Sequence, residues 1–140
     1  MKFIYLLFPL AFIYFFGAKK SPIDASAKYS FTNKSVSLSN HDILVKAILN
    51  KRSVTCYYKH LLRKMTPHVI GMKNGTEHVL SMQYDGESER GLSTDLRQNW
   101  RCMFVENIEN LVINNDDFYT ADNHSQMQSC VDVVDTEVDY

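Results

Sequence analysis

The chain is expected to fold as a mainly β, α+β domain, with one leading helix and then a small antiparallel barrel or strongly bent sheet, all behind an N-terminal hydrophobic segment. Three observations predict this. A helical apolar stripe stands at Leu44, Ala47 and Ile48; about five short runs rich in β-branched and aromatic residues follow; Asn74-Gly75 separates two of those runs by a tight hairpin. With 140 residues, 45% of them hydrophobic, and a net charge of -1, the chain has room for one compact domain of about 100 residues plus an extension.

Residues 3–16 are continuously apolar, with Lys2 before them and Lys19-Lys20 after them. As a helix they span about 21 Å at about 1.5 Å per residue, short of the roughly 30 Å of a bilayer core. Residues 1–20 are therefore a signal peptide or an uncleaved membrane anchor, and both readings stay open. The best small-residue cleavage site, Ala25-Ser26-Ala27, lies far from the apolar run. Residues 21–40 are polar and rich in Ser and Lys, and read as a linker to a domain over 41–140.

Asn40 is the expected N-cap of the helix, and Asn50 its stop. Ser53–Tyr58 reads as the first strand, with Lys59–Leu62 connecting it to a second strand over Arg63–Met72. Pro67 marks an edge or bulge there, because proline cannot donate to a ladder. After the Asn74-Gly75 turn the returning strand is His78–Tyr84, followed by a polar loop, Asp85–Gln98, long enough to border a site. In the next strand, Asn99–Val105, the residues Trp100, Cys102 and Phe104 are expected to face the core, with Arg101 pointing the other way. Ile108–Ile113 continues as a short strand or turn, Asp116–Gln128 reads as loose, and Ser129–Tyr140 alternates like a half-buried strand. Cys56 and Cys102 lie among apolar residues and read as buried thiols, with Cys130 exposed in a polar stretch.

The near-neutral total hides an asymmetry. Between His41 and Gly71 stand six Lys or Arg and one acid; between Met103 and Tyr140 stand nine Asp or Glu and no Lys or Arg. A basic half attracts phosphates, nucleotides or nucleic acid, unless the acidic third folds back and neutralises it. Arg63, His68 and Arg101 are the leading ligand-binding candidates: guanidinium groups hold a phosphate through paired hydrogen bonds, and an imidazole adds a donor. Tyr58 and Tyr84 are candidates for stacking on a base, while Lys51 and Arg52 would steer an anion by their field. The plainer reading makes these aromatics core and these cations a solvated face. No histidine or cysteine spacing fits a metal site, no glycine run forms a phosphate loop, and no catalytic set is recognisable, so no cofactor and no enzyme is expected.

A helix with Ala47-Ile48, then Lys51-Arg52, Tyr57-Tyr58, Arg63, Pro67-His68, Gly71, Trp100-Arg101, Phe104, Ile108 and Leu111 together resemble WYL-type domains, especially their small stand-alone bacterial relatives. The resemblance covers about residues 41 to 140. The Trp-Tyr-Leu tripeptide is absent, with His78-Val79-Leu80 where it would stand. The resemblance implies a small Sm-like or SH3-like barrel serving as a ligand-sensing or regulatory module that binds a nucleotide or single-stranded nucleic acid. The alternative is a protein-interaction or structural module, held at a membrane through residues 1–20 and without a small ligand.

Overall fold

The computed structural model describes residues 36–140, so the expected signal peptide or anchor and most of the linker lie outside the described residues. Helix α1 spans Asn40–Leu49. Its N-cap is Ser39, not Asn40: the Ser39 hydroxyl accepts from the Asp42 amide, and the Asp42 carboxylate accepts from the Ser39 amide in return. Asn40 has a different task, its side-chain amide donating to the carbonyls of Ile108 at 2.7 Å and Val105 at 3.3 Å. Leu44, Ala47 and Ile48 are buried as the stripe predicts. Removing Leu44 or Ile48 from water contributes about 2 kcal/mol each.

Six antiparallel strands follow: β1 (Val54–Tyr58), β2 (Leu61–Lys73), β3 (Thr76–Gly86), β4 (Trp100–Phe104), β5 (Ile108–Ile113) and β6 (Val133–Glu137). Both early connections are two-residue hairpins whose central residues are left-handed, Lys59 and His60 in one, Asn74 and Gly75 in the other. The sheet order is β4-β3-β2-β1-β5, with β6 added to β2. The sheet is open, with β4 and β5 at its two ends, so the expected closure into a barrel does not occur.

Strand β2 organises the sheet. One of its edges pairs with β3 from Arg63 to Lys73; the other pairs with β1 over Leu61–Met65 and with β6 over Val69–Met72. Pro67 falls in the gap between β1 and β6, where its missing N–H costs no ladder bond. A register shift between Pro67 and Val69 leaves His68 without a partner on β3, so the expected bulge is present and His68 is its extra residue.

The face carrying Met65, Ile70, Val79 and Met103 packs against α1 and forms the core. Strand β4 turns its faces opposite to the sequence expectation: Met103 is buried, while Cys102 and Phe104 are exposed. The cause is the pairing of Met103 with Val79 and Arg101 with Ser81, which puts the odd-numbered residues on the α1 side. Strand β6 is likewise no half-buried strand. Val133 and Val134 are exposed, and the buried valines are Val131 and Val138 on either side of it.

The segment from 114 to 132 has little regular structure but is not loose. It crosses the sheet face away from α1, where the Thr66 hydroxyl donates to the Tyr119 carbonyl at 2.6 Å and the Trp100 indole donates to the Asn123 side chain at 2.9 Å. A disulfide between Cys102 and Cys130 fastens its far end to β4. The two cysteines read as a buried thiol and an exposed one are thus bonded to each other, because the crossing path brings Cys130 onto the exposed side of β4. Cys56 alone remains a buried free thiol.

Candidate anion site

Arg63 lies opposite Cys56 of β1 and Gly86 of β3, on the α1 side of the sheet. Alternation along the strands puts Met65 beside it, Gln83 across from Met65 on β3, and Ser81 and Arg101 as a cross-strand pair two residues farther along. Four polar side chains, Arg63, Gln83, Ser81 and Arg101, therefore share one end of a face that is otherwise apolar.

The Arg63 side chain is only 4% exposed. Its guanidinium sits 5.3 Å from the centre of the Tyr58 ring, a cation–π contact, and its Nη1 donates to Gln83 Oε1 over a long 3.5 Å. Gln83 is oriented by its own amide, which donates to the carbonyls of Glu87 at 2.8 Å and Asp85 at 3.2 Å. Arg101 gathers the loop between β3 and β4 around it. Its Nη1 donates to the carbonyls of Gln98 and Trp100, and its Nη2 to the carbonyl of Gly91 and the hydroxyl of Ser88. Burial, and then the neighbouring charges of Arg63 and Arg90, push the Arg101 pKa down.

Among the described residues no carboxylate pairs with Arg63 or Arg101. Arg63 Nε, Ser81 Oγ and Arg101 Nε are all buried without a hydrogen-bond partner among the described residues. Arg63 is buried and Arg101 partly so, and the unpaired Nε of each, with the Ser81 hydroxyl beside them, leaves this end of the face short of a negative group to answer the two charges. The arrangement can hold an oxyanion or a carboxylate, because guanidinium forks match those groups in shape and charge.

The other predicted residues divide around this pair. Tyr58 is buried and supports Arg63; its hydroxyl accepts from the Phe104 amide at 3.2 Å, so the ring is core and not a stacking surface for a base. Tyr84 stacks on Tyr119 at 4.6 Å between ring centres and donates to the Asp116 carboxylate at 2.8 Å, which fastens the crossing segment. Arg52 donates to the Asn114 carbonyl and the Asn115 side chain, while Lys51 is exposed at the turn after α1. Two lysines of the basic half meet acids: Lys59 pairs with Glu89, and Lys64 with Asp85 and Asp116. Of these acids only Asp116 belongs to the acidic third, which therefore answers little of the basic half, and neither Arg63 nor Arg101.

His68 is on the opposite face. Its Nδ1–H donates to the Thr66 carbonyl at 2.7 Å, its Nε2 accepts from the Thr120 hydroxyl at 3.1 Å, and its ring meets the edge of Trp100 at 4.7 Å. Trp100 precedes Arg101 in β4, so their side chains leave opposite sides of the sheet. A single grip formed by Arg63, Arg101 and His68 is therefore geometrically excluded.

Burial pushes the His68 pKa down to about 4, against the opposing pull of its bond to Thr66. The folded value lies below the unfolded one, so the unfolded chain takes up the proton first as pH falls. Stability is full above about pH 6.5 and is lost from there down to about pH 4, by at most about 1.4 kcal/mol per pH unit from this group. Denaturant unfolding from pH 7 to 4, with His68→Gln as reference, reads this slope. A wild-type slope no steeper than that of His68→Gln would refute it.

Gln83, Ser81 and the loop residues Ser88 and Gly91 escaped the sequence reading as individual contributors; only the length of the loop hinted at them. Burial pushes the Cys56 thiol up to about 11, so it stays protonated at neutral pH. Among the described residues no group of three His, Cys, Asp or Glu is placed to hold a metal ion. No family model, curated protein or solved structure matches the chain.

Proposed function

We propose that this chain is a non-catalytic, WYL-like binding module whose Arg63 and Arg101 hold a compact anionic ligand, with a phosphate-bearing nucleotide as the leading class. The observation that carries the proposal is the buried Arg63 guanidinium beside the partly exposed one of Arg101, with no carboxylate partner among the described residues and with Arg63 Nε, Arg101 Nε and the neighbouring Ser81 Oγ all unpaired there. A kinship of the strongly bent, open sheet with Sm-like domains belongs to the same proposal. It is supported by the leading helix and by register shifts in both the β2–β3 and β1–β5 pairs, since bulges bend strands.

The disulfide supports a domain that lies in an oxidising compartment, in agreement with export or anchoring through residues 1–20. In such a compartment a small phosphate or nucleotide is the better-fitting ligand, and single-stranded nucleic acid the poorer. A second reading, a protein-interaction module, is favoured by the exposed Met72, Val133 and Val134 on β2 and β6.

Calorimetric titration of the full chain with inorganic phosphate, AMP and a single-stranded oligonucleotide distinguishes these readings. Saturable binding of phosphate or AMP, weakened by salt, is expected. Each of Arg63→Met and Arg101→Met is expected to reduce affinity about tenfold or more, the loss of roughly 1.5–3 kcal/mol typical of hydrogen bonds to charged groups. Unchanged affinity in the double variant would reject the assigned site.

A further inference from the structure

We infer that the sheet face away from α1 carries a second, independent binding site, for a neutral aromatic small molecule. A cavity of about 1040 Å³ lies there, between the sheet and the crossing segment, large enough for a drug-sized ligand. Val69 and Leu80 line it from the sheet, and the Cys102–Cys130 disulfide contributes both of its residues to the lining.

Aromatic rings supply the recognition. Trp100 meets His68 edge to face, and Tyr140 stacks on His124 with ring centres 3.8 Å apart, so two ring pairs border one space. Flat apolar ligands gain both burial and ring–ring geometry against such walls. The lining is mixed: Asn123, Ser125, Gln126, Gln128 and Ser129 of the crossing segment border the space beside the rings. His124 Nδ1 is buried with no hydrogen-bond partner among the described residues, so it is the polar atom best placed to orient a guest that carries a hydroxyl or an amine.

Charge argues against an ion in this cavity. Both hydrogen-bonding positions of His68 are filled by Thr66 and Thr120, and its depressed pKa keeps it neutral at pH 7. The charged lining residues, Lys73 and Glu137, are opposite in sign. Met127, also part of the lining, is fully exposed, a flexible apolar side chain at the mouth with nothing packed over it. A thioether favours the edge of an aromatic ring, so Met127 is suited to close over such a guest.

Trp100 is the only tryptophan in the chain, so its indole N–H signal reports on this cavity without ambiguity. Titrating the ¹⁵N-labelled full chain at pH 7 with 2-naphthol, a neutral planar probe, is expected to shift that signal saturably. Met127→Glu, at an exposed position that folding does not need, is expected to weaken the apparent affinity about tenfold. An excess of inorganic phosphate, the probe of the anion site on the other face, is expected to leave it unchanged, so failure of this site and failure of the anion site are told apart. The inference is overturned if the Trp100 signal does not move, if it moves equally in Met127→Glu, or if phosphate competes the shift away.

Discussion

Gly71→Ala is expected to destabilise the domain by at least about 4 kcal/mol and to release β6, a loss at the far end of the range for point substitutions. A Cβ at position 71 would stand 2.1 Å from the Val133 carbonyl oxygen, 2.6 Å from Val131 Cγ1 and 3.0 Å from the Asp135 amide nitrogen. Two of these three are backbone atoms of β6, which cannot turn aside as a side chain does. The strand must move as a unit. Its departure would break the bond from the Val138 amide to the His68 carbonyl, uncover Val131 and Val138, and part Asp135 from His41. Denaturant unfolding measures the loss, and hydrogen exchange at amides 133–138 tests its location. A variant within about 1 kcal/mol of wild type, with those amides still protected, would show that β6 yields at little cost.

Removing the disulfide, by Cys102→Ser with Cys130→Ser, is expected to cost about 3.5 kcal/mol. The bridge joins residues 28 apart in sequence, and closing a loop of that length in the unfolded chain removes about this much entropy-derived free energy. The segment from 114 to 132 would then be held by its hydrogen bonds and packing, among them those of Arg52, Tyr84, Thr66, Trp100, His68 and Lys73. Unfolding of the double variant, and of the wild type with and without reductant, gives the difference. In the oxidised native protein no thiol should react with a bulky reagent, because Cys56 is buried and pushed up to about 11. A loss below about 1 kcal/mol would mean that hydrogen bonding and packing hold this segment without help from the bridge.

Much of the fold was legible in the residues. The Asn74-Gly75 turn, the buried stripe of α1 and the bulge at Pro67 all follow from short-range causes: side chains four apart share a helix face, asparagine and glycine accept left-handed backbone, and proline has no N–H. Of the candidate site, Arg63 and Arg101 were legible as residue types suited to an anion. That they stand together was not, because it depends on β2, β3 and β4 pairing in the observed register.

Residues close together in the chain set most of the elements, their order and the kinds of chemistry available. Which side each residue serves depends instead on pairing between distant segments. Alternation from Arg63 puts His68 on the far side, and the extra residue there exchanges the faces from Val69 onward; the match of Met103 with Val79 turned β4 over; and the route of the crossing segment joined Cys102 to Cys130. The physical reason is the two-residue period of a strand: a shift of one position exchanges the faces, and that shift is fixed by partners distant in sequence.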